Sequence, residues 1–105
     1  MAFSRRELFQ LLPRSTADVS RAMSHPARVK ILMLLVQQGE TSFAQLVKLL
    51  PLHRTTISQH LRLLLRHELV MVREVVPHTY YSVNGLKVSD LLFVLRQFCD
   101  YMEEH

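Results

Sequence analysis

The sequence predicts a mainly α-helical chain with one small β-hairpin, folded as a winged helix-turn-helix. Apolar residues recur at helical spacing through most of the chain, and its 105 residues include only 2 glycines. Pro26, Gly39, Pro51 and Asn84-Gly85 break that pattern at helix-sized intervals. After a pair of short helices, two β-branched and aromatic runs, Val70 to Val76 and Thr79 to Val83, flank Pro77-His78 as the arms of a hairpin.

The elements follow in order. Residues 1–23 are expected to hold N-terminal helices, the first capped by Ser4 and the second a turn or two from Ala17 to Met23. Pro26 suits a first helical position, where its missing N–H would be unpaired anyway, so a core helix runs over 26–38 and Gly39 closes it. Its stripe is Val29, Leu32 and Val36, with Ile31 and Leu35 beside it. Ser42-Phe43-Ala44-Gln45 has capping-box spacing and opens a short helix carrying Leu46, Leu49 and Leu50, halted by Pro51. With the helix that follows it forms a helix-turn-helix over 42–67. The wing hairpin occupies 69–83, with Pro77 expected at the second position of a type I turn. A last helix covers 86–104, and no second domain or repeat is visible in the 105 residues.

Composition bounds the function. A hydrophobic fraction of 49% and a charged fraction of 21% describe a folded globular chain. The formal charge is +4, but residues 1–89 carry +7 and residues 90–105 carry −3, so the basic surface belongs to the body. Ser4-Arg5-Arg6-Glu7-Leu8-Phe9 looks like the start of a twin-arginine signal, yet Pro13 to Asp18 stand where its apolar region should be. With no run approaching the roughly 18 apolar residues of a membrane span, a cytoplasmic protein is expected. The single cysteine, Cys99, suits a reducing compartment. No phosphate loop, nucleophile elbow or Cys/His quartet points to an enzyme, and no cofactor is expected.

The helix from Leu52 onward carries the chemistry. On a wheel of about 100° per residue, Leu61, Leu64 and His53 fall within roughly 40° of Ile57. Thr55, Ser58, Gln59, Arg62 and Arg66 fall roughly 100° to 200° away. One face is greasy; the other offers hydroxyls, a carboxamide and cations, the groups that reach base edges and phosphates in a major groove. His53, His60 and His67 recur every seven residues, but neighbours lie about 10 Å apart along the axis, too far to share a metal ion.

At this point the chain resembles the ArsR/SmtB winged-helix transcriptional repressors. The resemblance rests on Ser24-His25-Pro26-Ala27-Arg28, on Leu52 to Leu61 (LHRTTISQHL), on Leu64 to Val72 with its Glu68-Leu69-Val70, and on Tyr80-Tyr81. It implies a homodimer that binds a pseudo-palindromic operator in double-stranded DNA and releases it on a signal. It also implies that Arg54, Thr55, Thr56, Ser58, Gln59 and His60 lie in the DNA-reading segment. The wheel supports most of these but not His60, about 60° from Ile57, which reads as a partly buried ring with a hydrogen-bond partner. The tip Val75-Val76-Pro77-His78-Thr79 departs from the family's basic wings and leaves Arg73 and His78 as the wing contacts.

The last helix is greasier than one small core requires. Val88, Leu91, Leu92, Leu95, Phe98, Cys99 and Met102 follow helical spacing, so a subunit interface is expected through Leu91, Leu95, Phe98, Cys99 and Met102, joined by Leu8 and Leu12. Cys99 reads as an inert thiol buried on that stripe, or as an intersubunit disulfide if it lies near the dimer axis. The family's metal sites are not matched: Phe43 to Val47 contain no cysteine pair, and of the C-terminal site only Asp90 matches, with Leu92 and Glu103 in histidine positions. No metal is therefore expected, and no residue names the inducer. A non-catalytic alternative is a winged-helix module for protein–protein contact, which the uncharged wing tip favours.

Overall fold

The computed structural model describes residues 17–104. Five helices and three strands follow one another: α1 (Ala17–Ala22), α2 (Pro26–Gln38), β1 (Thr41–Ser42), α3 (Phe43–Leu49), α4 (Arg54–Arg66), β2 (Val70–Val75), β3 (His78–Val83) and α5 (Gly85–Glu104). The strands form one antiparallel sheet in the order β1-β3-β2. The architecture is the expected one, mainly helical with a winged helix-turn-helix. The expected Ser4-capped helix, with Leu8 and Leu12, lies outside the described residues.

Local chemistry sets the boundaries. Pro26 opens α2, and the ring Nδ1 of His25 accepts the Ala27 N–H at 3.0 Å, a cap outside the usual Ser, Thr, Asp and Asn set. Gly39, at φ 78°, closes α2 by donating its N–H to the Leu35 carbonyl. The Ser42 hydroxyl accepts the Gln45 N–H at 3.1 Å and starts α3. The end of α4 is a Schellman motif: Leu69 N–H donates to the Leu64 carbonyl and Glu68 N–H to the Leu65 carbonyl. Glu68 adopts φ 61°, a left-handed conformation that glycine takes more readily. The Asn84 carboxamide donates to the Glu68 carbonyl at 2.9 Å, fastening the end of the wing to the end of α4.

One core joins these elements. Ile31 and Leu35 of α2, Leu46 of α3, Ile57, Leu61 and Leu64 of α4, and Leu69 beyond it are fully buried. Each of these large aliphatic side chains contributes about 1.5 to 3 kcal/mol by leaving water. Val19 and Ala22 bring α1 into the same cluster.

Four expectations need correction. Helical spacing puts Val36 on the core stripe, but it is 65% exposed, because the buried side of α2 is centred on Ile31, Leu32 and Leu35. His53 is not on the greasy face: it is the exposed N-cap of α4, extended in backbone, so the helical wheel does not reach it. Pro77 takes the third turn position after a cis Val76–Pro77 bond, because the pairing of Val75 with His78 leaves a two-residue loop. Cys99 is exposed, not buried within its own chain, and lies three turns beyond Val88, which packs on the core near the start of α5. The sequence also gave no warning of β1. Its two residues pair with Tyr81 and Tyr80 of β3, with Thr41 buried and its hydroxyl donating to the Gly39 carbonyl at 2.8 Å.

Candidate nucleic-acid interface

Helix α4 is fixed by one face and open on the other. Ile57, Leu61 and Leu64 are buried in the core, whereas Arg54, Thr55, Gln59, Arg62 and Arg66 are exposed and Thr56 and Ser58 half-buried. Among the described residues, none of these seven polar side chains makes a hydrogen bond or ion pair. The helix contains three arginines and no acid, and its first turn has neither an acidic residue nor a side-chain cap from His53. Its leading N–H groups therefore add a positive end to a cationic face, the arrangement that attracts phosphate. The break between α3 and α4 is four residues, 50–53, with Leu50 buried and Leu52 packed against the core, so the angle between the helices is anchored from inside.

His60 lies where the wheel put it, on the flank of the core. Its Nδ1 is 3.3 Å from an Arg28 guanidinium nitrogen, and its ring centroid is 4.6 Å from that of His25. Burial, and then the charges of His25 and Arg28, hold its pKa below the ordinary histidine value. Arg28 donates also to the Ala22 carbonyl at 2.6 Å, the Ser24 hydroxyl at 3.1 Å and the Arg21 carbonyl at 3.4 Å. The motif Ser24 to Arg28 was visible in the sequence, but nothing in its spacing showed that Arg28 would reach α4.

The wing differs from a bare cationic arm. Arg73 donates through Nε to Glu40 Oε2 at 3.0 Å and through a terminal nitrogen to Oε1 at 2.6 Å, with the guanidinium 5.1 Å from the centre of the Tyr80 ring. The hydrogen bond to Arg73 holds the Glu40 carboxyl below its usual range and Glu40 in turn raises the Arg73 pKa. Two of the five guanidinium donors are thus engaged and the others remain open. This pairing spans 33 residues of sequence, so local pattern does not reveal it. His78 is exposed at the tip, edge-on to Tyr80 at 6.2 Å. Tyr81 faces the other way, packed on the core, and burial followed by the Glu74 charge raises its pKa.

Of the expected interface residues, Cys99 and Met102 are exposed on α5, Met102 by 59%. Leu12 and the side chains of Leu91, Leu95 and Phe98 lie outside those described. Among the described residues no group of three or more His, Cys, Asp or Glu could hold a metal ion, and no helix is long and apolar enough to cross a membrane.

Comparison with known proteins matches residues 25–72 to the family model described as bacterial regulatory protein, arsR family. The chain is similar to the transcriptional repressor PagR of Bacillus anthracis, with 32% identity over 79 residues that span 75% of this chain and 79% of that protein. It is also similar to a homologue of the cadmium resistance transcriptional regulatory protein CadC in Staphylococcus aureus, with 29% identity over 85% of this chain and 74% of that one. An ArsR-like transcriptional regulator from Rhodococcus sp. RHA1 shares the fold, with a TM-score of 0.74 over 96% of this chain and 88% of that chain at 24% identity.

Proposed function

Because the chain belongs to the arsR family of bacterial regulatory proteins, and is therefore a DNA-binding transcriptional regulator and not an enzyme, we propose that it acts as a homodimeric repressor on a pseudo-palindromic operator. Residues 1–105 work as one winged domain in the cytoplasm. Arg54, Thr55, Thr56, Ser58, Gln59 and Arg62 enter the major groove, the hydroxyls and carboxamide facing base edges and the arginines facing phosphates. His78 and the free donors of Arg73 contact the flanking backbone from the wing. The observation that carries this reading is the face of α4, seven polar side chains with no partner among the described residues on a helix immobilised from behind.

Dimerisation through α5 completes the reader. Leu8, Leu12, Leu91, Leu95, Phe98, Cys99 and Met102 form the interface in this proposal. It is supported by the exposure of Cys99 and Met102 and by the apolar period of α5. Two α4 helices about 34 Å apart would meet successive major grooves on one face of the duplex.

Fluorescence anisotropy of the purified protein tests this, with DNA from upstream of its own gene and excess random competitor at two salt concentrations. Preferential binding that weakens steeply with salt supports the proposal. Binding no tighter than to random DNA contradicts it for that site and favours the protein-contact module, for which Val76, 90% exposed at the wing tip, offers an apolar surface.

A further inference from the structure

The half-buried Arg28 side chain is turned onto its own neighbours. It bonds to two carbonyls at the end of α1, to Ser24, and to His60 on α4, so that one guanidinium ties three helices together. A guanidinium only donates hydrogen bonds, so Nδ1 of His60 must accept; the ring is then neutral, with its proton on Nε2. His25 closes the cluster from the loop, its ring tilted by 49° against that of His60 at 4.6 Å, while its own Nδ1 caps α2. His60 directly follows Gln59 and lies two residues after Ser58, both on the open face. We propose that Arg28, acting through neutral His60, is a positioning residue that sets the pose of α4 for base readout, and that a proton on His60 releases this hold.

The geometry carries the claim and the electrostatics agree with it. A proton on Nδ1 would point an N–H at an N–H and remove the only hydrogen bond from α2 to α4 that involves these side chains. The charged groups facing His60 from the elements around it are Arg28 and His25, and both resist that proton, as does burial. The effect on DNA is distinctive. A change in net charge alters binding to every duplex alike, whereas release of α4 erodes only the preference for the correct one.

This inference rests on the DNA-binding reading, and its test separates the two. Binding to a duplex selected from a random library, and to scrambled DNA, is measured from about pH 7.5 to about pH 5.5, the range in which a histidine titrates. The wild-type preference should fall across that range in step with the neutral fraction of His60, by less than about tenfold because its pKa lies below the ordinary histidine value of about 6.5. His60→Asn keeps an acceptor near the Nδ1 position and cannot take the proton, so its preference should stay level. His60→Phe fills the space without an acceptor and should have the lower preference at both ends, and Arg28→Lys should recover part of what Arg28→Ala loses. A His60→Phe protein that discriminates like the wild type, or a His60→Asn protein that loses preference with acid as the wild type does, overturns the proposal. Nitrogen NMR of the His60 ring in DNA-free protein decides independently: the Nε2–H tautomer at neutral pH is expected, and an Nδ1–H tautomer overturns the inference whatever the DNA result.

Discussion

Arg62 and Arg73 are both exposed arginines, yet only Arg73 already has an anionic partner. Arg62→Ala should weaken binding to every sequence and lower the salt slope by about one unit, as expected for loss of one phosphate contact. Gln59→Ala should cost about 1 to 3 kcal/mol on the preferred duplex and relax discrimination at one base pair, read by titrating single-base variants of that duplex. Glu40→Gln removes the charge that competes for Arg73. The salt slope should therefore steepen by about one phosphate, and an unchanged slope would mean that Arg73 serves only to brace the wing against Tyr80. The polar face of α4 was legible because residues on one helix are related by a fixed angle. The Arg28–His60 and Arg73–Glu40 pairs were not, since they join residues 32 and 33 apart that only the tertiary fold brings together.

At the level of elements, boundaries came from chemistry that sequence displays and exceptions from chemistry it hides. Pro26, Gly39 and Ser42 mark ends because each satisfies or removes an unpaired backbone group. A two-residue strand such as β1 has no period to detect, and the φ of 61° at Glu68 follows from the bonds of Leu69 and Asn84, not from glutamate itself. Leu61→Ala should therefore destabilise the fold by about 2 to 5 kcal/mol, seen as a lower urea midpoint, because a fully buried side chain leaves a cavity. Glu68→Gly should instead raise the midpoint slightly, by about 0.5 kcal/mol, since relief of the left-handed strain exceeds the added freedom of the unfolded chain. A fall in stability for Glu68→Gly would show that the glutamate side chain contributes more than its backbone costs.

At the scale of the chain, extents of 49 × 24 × 20 Å and a radius of gyration of 15.8 Å, against roughly 13 Å for a compact domain of about 100 residues, give the described residues an elongated shape. Of the 20-residue α5, Val88 is placed against the core and Leu92 at an apolar groove with α2. Charge adds a pH dependence to this frame. His60 resists protonation in the folded chain, so its contribution to stability is fully present above the ordinary histidine value of about 6.5 and is lost as pH falls below it. Thermal melts through that window should show a fall that His60→Asn removes. The central claim, that paired α4 helices read one face of DNA, is tested most directly by hydroxyl-radical footprinting on the selected duplex. Two protected windows about one helical turn apart on the same face, with protection weakened in both by Arg62→Ala, are the predicted result. A single window, or protection unaffected by Arg62→Ala, would contradict it.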